Sequence, residues 1–313
     1  MVLFLNISLG SVLVPFSAWK EYFFDSAHHF EYEGIFHYRL SKAIMAIVAG
    51  SGLAISGLIM QNLFRNPIVG PYVLGLSSGA GLGVALLILG GMLTGLHFFS
   101  QWSISLASAV GSALTLMLIV SLYYKLKNPL SLLVAGLMIG LFAGAIISIL
   151  SYFTQAASLQ KFIFWSMGNL GAQSFENMII LWLISLFAFV SLVFYIKDLN
   201  ALLLGENYAA SMGVNIKRTH LVLILLTGLL TGSITAFAGP IAFVGLAVPH
   251  ISRLYFKTHL HQYLIPGNIL LGAIVLLFCD TIAQVPGSVL VLPINSITAI
   301  FGAPLVVYLI YKK

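Results

Sequence analysis

Three sets of side chains in this sequence have the types to do chemistry. Asp280 is the one acid inside a long apolar run, residues 263–285. A carboxylate in hydrocarbon is costly, so it either carries a proton or cation or is held by hydrogen bonds. Ion carriers show several embedded ionisable groups and this chain shows one, which favours the structural role. An ion-coupled secondary transporter built on Asp280 is the alternative. Arg39 and Lys42 lie three residues apart and share a face on a helix. They are either snorkelling anchors or a positive knob for an acidic patch on an extracytoplasmic partner. His28, His29 and His37 invite a metal site but lack a fixed helical metal spacing, so a solvated loop is expected and no metal.

Metalloprotease and nucleotide-binding signatures are missing. The chain has no His-Glu-x-x-His and no Walker loop. No enzyme activity and no cofactor is expected in this chain. If transport is driven by ATP, another chain binds the ATP and its Mg²⁺. Cys279 is the single cysteine, which excludes an internal disulfide and a cysteine-only metal cluster.

The elements that carry these groups are membrane spans. Of 313 residues 60% are hydrophobic and 7% charged, against roughly 25% charged in soluble domains. There is room for about ten spans and none for a separate soluble domain, so residues 1–313 read as a single transmembrane domain. The apolar runs are 1–18, 43–61, 72–93, 102–124, 130–153, 178–196, 221–238, 263–285 and 294–311, with a half-helix over 241–251 before Arg253. The first run is the weakest, broken by Asn6, Ser8, Gly10 and Pro15, and its start lacks the basic region of a cleavable signal. Gly75, Gly79 and Gly83 recur every four residues, as do Gly136, Gly140 and Gly144, and both stripes read as helix-packing seams.

The net charge of +6 does not imply nucleic acid, because the bases flank spans. With both termini cytoplasmic, inner loops receive Arg65, Lys125, Lys127, Lys197, Lys217, Arg218, Arg253, Lys257, Lys312 and Lys313. Outer loops receive Lys20, Arg39, Lys42 and Lys161, together with the acids Glu21, Asp25, Glu31, Glu33 and Glu176. That bias has the sign expected of a multi-pass protein of the cytoplasmic membrane, in contact with lipid throughout.

One polar interruption organises the chain. Residues 197–219 sit on the cytoplasmic side between two spans and carry two short amphipathic pieces. Leu202, Leu203, Tyr208 and Met212 are candidate apolar contacts, and Gly205 and Gly213 punctuate the turns. The element is either a plain interfacial loop or a short kinked lever that takes a push from a soluble partner.

Four ordered blocks resemble the FecCD-type permeases, the transmembrane subunits of bacterial ABC importers for iron-siderophores, haem and cobalamin. The first runs Arg39-Leu-Ser-Lys42, Val48-Ala-Gly50, Leu53-Ala-Ile-Ser-Gly57, Gln61-Asn-Leu-Phe-Arg-Asn66-Pro67 and Pro71-Tyr-Val-Leu-Gly75-Leu-Ser-Ser-Gly79-Ala80. The others are Leu199 to Glu206 with Ala209 and Met212-Gly213-Val214, then Gly239 to Arg253, then Gly302-Ala-Pro304. The resemblance implies a homodimer of ten-helix subunits around a central path. It also implies two ATP-binding subunits on the cytosolic side and an extracytoplasmic substrate-binding protein. Residues 197–219 then become coupling helices, with Leu203, Gly205, Glu206, Ala209, Met212 and Gly213 coupling to the ATPase and Glu206 capping or pairing. Arg39 and Lys42 fall where the family docks its binding protein. The chain departs from the family pattern at Gln284, Val291 and Asn295, and at a different gate turn, Asn128-Pro129-Leu130.

Overall fold

The computed structural model describes residues 1–15, 19, 32–91, 100–126, 129–171, 175–285, 287–288 and 290–311. His28, His29 and Asn128, together with Lys20, Glu21, Asp25, Glu31, Lys127, Lys312 and Lys313, lie outside them. The described residues are helices joined by turns, without a strand. In chain order the helices are α1 (Val2–Ser8), α2 (Glu33–Leu63), α3 (Leu76–Ile88), α4 (Gln101–Lys125), α5 (Pro129–Phe153), α6 (Ala156–Ser166) and α7 (Phe175–Val193). They continue as α8 (Ile196–Leu203), α9 (Glu206–Ser211), α10 (Ile216–Ala238), α11 (Val244–Phe256), α12 (His261–Ala283) and α13 (Ile294–Tyr311). Among these, α2, α4, α5, α7, α10 and α12 are long and apolar enough to cross a membrane, and residues 76–88 and 294–308 form shorter apolar helices.

The core is built round α2, whose apolar window is 89% buried, against 17% for α5. The reason is in its composition. Ala46, Ala49, Gly50, Gly52, Ala54, Ser56 and Gly57 leave little side chain between backbones, so α10, α11 and α12 all pack on it. A Cβ on Gly50 would collide with the Gly272 carbonyl of α12, and one on Gly57 with the Gly245 carbonyl of α11. The first glycine stripe works in part the same way. Gly79 and Gly83 on α3 lie against Gly111 and Ala107 of α4. Gly136 of α5 meets the backbone at Val73 and Leu74, and Gly140 meets Ser78.

The structure corrects four of the expected elements. Gly75 is not a seam residue inside a helix. It sits in the left-handed region at φ 75° between a 3₁₀ turn, Pro71–Leu74, and α3, so the run expected over 72–93 is split and shortened. Gly144 lies on no seam within the single chain, since among the described residues a Cβ there would meet nothing within 4 Å. The second span begins at Glu33, not at residue 43. Its polar first turns stay helical with Glu33 facing His37 at 3.9 Å and Arg39 and Lys42 turned inward. The half-helix starts at Val244 and runs through Arg253 to Phe256, ending where Lys257 turns left-handed at φ 49°.

Candidate functional site

The interruption between α7 and α10 folds as two short helices at an angle. Gly205 separates them at φ 121° and ψ 150°, a conformation open to glycine and closed to side chains with a Cβ. Gly213, at φ 88°, turns the chain into α10, whose first turn is capped by the Asn215 side chain accepting from the Arg218 N–H at 3.1 Å. Glu206 stands in the first turn of α9, where the helix dipole favours a negative charge. It has no ion-pair partner within 4 Å among the described residues.

This element is tied down on its inner side. Leu199, Ala201, Leu202 and Ala209 are buried. Thr219 of α10 donates to the Asp198 carboxylate at 2.8 Å. Asn62 of α2 gives its Nδ2 to the Leu199 carbonyl at 3.0 Å and to Nε2 of His261 at 2.9 Å. Asn200 Oδ1 takes the His261 backbone N–H at 2.8 Å and Nδ1 at 2.9 Å. Because Asn200 Oδ1 only accepts, Nδ1 carries the imidazole proton and Nε2 is left to accept from Asn62. One neutral imidazole therefore joins α2, α8 and α12. Arg253 of α11 adds a bond to Gln61 Oε1 at 2.6 Å, and Gln61 Nε2 donates to the Leu246 carbonyl at 3.1 Å. Single asparagines and glutamines in apolar runs are the sequence signal for this network, and spacing alone assigns no role to Asn62, Asn200 or His261.

The outer side of the same element exposes large apolar side chains. Leu204 is 65% exposed, Tyr208 55% and Met212 61%, with Leu203 beside them. Of the residues expected to meet a partner, Leu203 and Met212 are on this surface. Ala209 is fully buried and belongs to the inner anchor rather than to the exposed surface. Leu202 likewise points inward.

At the other end of α12, about 30 Å along its axis, lies a second polar cluster. Lys42 Nζ meets Asp280 Oδ1 at 2.9 Å. Asn6 Nδ2 and Gln284 Nε2 each donate to Asp280 Oδ2 at 2.9 Å. Arg39 spends its guanidinium on backbone, with Nη1 donating to the Ile7 carbonyl at 2.9 Å and Nη2 to that of Val12 at 2.7 Å. Arg39 is 4% exposed, Lys42 6% and Asp280 1%. The expected docking knob is thus corrected: both cations are buried and engaged, because α1 and α12 close over them. Asp280 has a partner on each carboxylate oxygen, as the structural role requires. Asn6, which breaks the first apolar run, does so to serve this carboxylate. The two cations, with Ser11, Tyr38 and Gln284, floor a small cavity of about 260 Å³.

Between α10 and α11 the chain is unwound in the middle of the helical body, and its N–H groups find unusual partners. The Tyr72 hydroxyl accepts from Ile241 N at 3.1 Å, and Asn295 Oδ1 accepts from Ala242 N at 2.9 Å. Irregular backbone inside a membrane protein is tolerated when neighbours satisfy it in this way. Phe243 holds φ 67°, uncommon for a side chain of its size, with its ring against Gly302 of α13. Asn295 stands where the family resemblance calls for glycine, and its amide has a definite local use.

Comparison with known proteins gives one consistent answer. The model of the FecCD transport family matches residues 1–312. The chain is 35% identical over 281 residues to the hemin transport system permease protein HmuU of Yersinia pestis, covering 88% of this chain and 82% of that one. It is 33% identical over 285 residues to the vitamin B12 import system permease protein BtuC of Salmonella typhi, covering 89% and 84%. Among solved structures, a metal-chelate type ABC transporter in an inward-facing conformation superposes with a TM-score of 0.84 at 30% identity, over 100% of this chain and 96% of that chain. PsaBC from Streptococcus pneumoniae shares the fold, with a TM-score of 0.60 at 18% identity over 89% of this chain and 93% of that chain.

Proposed function

The chain belongs to the FecCD transport family and is a membrane subunit of a metal-chelate ABC importer, and from that premise we propose that its α8–α9 element is the lever through which ATP-binding subunits drive transport. It is a multi-pass protein of the bacterial inner membrane. The observation that carries the lever reading is the two-sidedness of the element. Its inner face is held to α2, α10 and α12 by Asn62, Asp198 and Asn200, while its outer face presents Leu203, Leu204, Tyr208 and Met212. Apolar side chains outside the spans, on a part so firmly tethered, suit a protein partner that pushes.

The finer assembly follows the same reading. Two ATP-binding subunits, carrying the ATP and Mg²⁺, sit on the face of α8 and α9, which is cytoplasmic by the distribution of Lys and Arg. Ten segments cross or enter the membrane with both termini inside, α1, α3, α11 and α13 being the short ones. Two copies of the chain enclose a central path, and α5, the least buried span, supplies an uncharged wall of Leu, Ile, Phe and exposed Gly144. Such a wall suits a bulky metal chelate delivered by a substrate-binding protein, of the iron-siderophore, haem or cobalamin kind. The chain itself carries out no covalent chemistry.

Gly205→Pro tests the lever. Proline demands φ near −65°, whereas Gly205 sits at φ 121° and gives its N–H to the Leu202 carbonyl. Insertion and folding are expected to survive, with ATP hydrolysis by the assembled transporter no longer producing uptake. Glu206→Arg, which reverses the charge in the first turn of α9, is expected to act in the same direction. Normal uptake per ATP in both variants removes the coupling role.

A further inference from the structure

The last turn of α2 is built on a residue type that does not suit it. The Arg65 N–H donates to the Asn62 carbonyl and the Asn66 N–H to the Gln61 carbonyl, each at 3.1 Å. This pattern closes a helix through one left-handed residue, for which glycine is the usual choice. Here that residue is Arg65, at φ 47°. The conformation costs energy for a residue with a Cβ and persists where the surroundings have a use for the side chain. A base near the C-terminus suits the helix dipole, but any position in the turn would serve that purpose.

The guanidinium shows what the strained position gains. It reaches the joint of the lever, where a Cβ placed on Gly205 would stand 3.8 Å from Nη2 and 3.9 Å from Nη1. Arg65, Gly205 and Glu206 line one cavity of about 620 Å³. Arg65 is exposed, and among the described residues neither its charge nor that of Glu206 has an ion pair within 4 Å. Two opposite charges thus face the same cavity unpaired, one fixed to the end of α2 and the other to the first turn of α9. Lys125 and Lys217 share a second cavity with Glu206, of about 510 Å³. Both lie in helical backbone at the cytoplasmic ends of spans, where a lysine needs no further use. Of the three bases only Arg65 occupies a strained conformation.

We propose that Arg65 is the positioning residue of the lever: anchored at the end of α2, it lies across the Gly205 joint and takes Glu206 as its counter-charge when α9 swings toward it. The inference rests on the lever reading and adds the group that sets the lever's position. Rotation about Gly205 changes the distance between Glu206 and a guanidinium that does not move with it, so their attraction favours one lever position over the other. Asn62, three residues before Arg65, already holds the inner face of α8 through the Leu199 carbonyl. One turn of α2 then supplies both the pivot and the electrostatic stop.

The test is a double-mutant cycle on the assembled transporter in proteoliposomes, with its ATP-binding subunits and binding protein. Cargo imported per ATP hydrolysed is the readout, the probe being whichever of hemin, ferrichrome and cyanocobalamin the parent imports. Arg65→Gly, Arg65→Gln and Glu206→Gln are each expected to lower the ratio about threefold, the scale of one exposed ion pair. Arg65→Gly combined with Glu206→Gln is expected to be no worse than either alone, because both remove the same interaction. Arg65→Lys, which keeps the charge, is expected to retain most of the ratio, and Lys125→Gln to retain all of it. Glycine relieves the left-handed strain and adds chain entropy to the unfolded state, so the unfolding midpoint of Arg65→Gly is expected to stay within about 2 °C of the parent. An unchanged ratio in both Arg65→Gly and Arg65→Gln overturns the proposal, as do losses that add in the double variant. So does a variant that only loosens the ATP-binding subunits while the ratio of assembled transporters is unchanged, which makes Arg65 a docking contact. If Gly205→Pro uncouples transport and the Arg65 variants do not, the lever reading stands and this inference alone falls.

Discussion

Lys42 and Asp280 face each other at 2.9 Å across the seam between α2 and α12, with both side chains removed from water. Asn6 and Gln284 complete the carboxylate, so a single buried charge gathers α1, α2 and α12. A buried pair of this kind is costly to break and cheap to replace as a whole.

Removing one partner is therefore worse than removing both. Asp280→Leu is expected to lower stability by about 3–5 kcal/mol by leaving Lys42 charged and unpaired. Lys42→Met combined with Asp280→Leu is expected to recover most of that loss, as read from thermal or denaturant unfolding of purified protein. Asp280→Asn, assayed per folded transporter in proteoliposomes, is expected to keep ATP-dependent uptake within a few-fold of the parent. Complete loss of uptake with a normal fold would return Asp280 to the role of ion carrier.

Close backbone packing gives a second, contrasting pair. Gly57→Ala drives a methyl group into the Gly245 carbonyl, with backbone on both sides and no side chain free to yield. A loss of about 3 kcal/mol is expected. Gly144→Ala meets open space on α5 and is expected to be neutral or slightly stabilising, within about 1 kcal/mol, by its higher helix propensity. Equal effects of the two substitutions on the unfolding midpoint contradict the packing described here.

The lever depends on its tethers. His261→Phe keeps the volume of the ring but strips a hydrogen bond from Asn62 and another from Asn200. Each buried group left unpaired costs about 1–3 kcal/mol. The number of chelates imported per ATP hydrolysed is expected to fall further than the amount of folded protein does. A loss of protein with an unchanged transport ratio limits His261 to a structural role.

The outer face of the lever is expected to act through association alone. Tyr208→Asp and Met212→Asp alter exposed side chains, so the stability of the isolated chain is expected to change by no more than about 0.5 kcal/mol. Affinity for the ATP-binding subunits is expected to drop at least about tenfold, the scale of losing one apolar anchor at an interface. Co-purification at rising salt and detergent measures it. Unchanged association with both variants removes this face from the interface.

Much of this protein is plain from the order of its residues. Apolar run length and the placement of Lys and Arg declare a polytopic membrane protein, because hydrocarbon admits only backbone that is internally satisfied. The bounds of α13 and the two-part lever hinged at Gly205 are equally legible, since glycine at φ 121° is a local requirement that needs no neighbour. The seams at Gly79 and Gly83 are visible for a similar reason: small residues at helical spacing have few other uses.

What tertiary structure decided is which polar groups meet. Arg39 and Lys42 look like surface cations by spacing, and only the closure of α1 and α12 over them turns them inward. Asn6 and Asp280 are 274 positions apart, and nothing local to either forecasts their bond. The same holds for His261 with Asn62 and Asn200, and for Asn295 supporting the unwound stretch at Ala242. Periodicity reports which side of a helix avoids water. It carries no information on which distant helix will lie there, and inside a membrane that choice falls to the pairing of a few buried polar atoms.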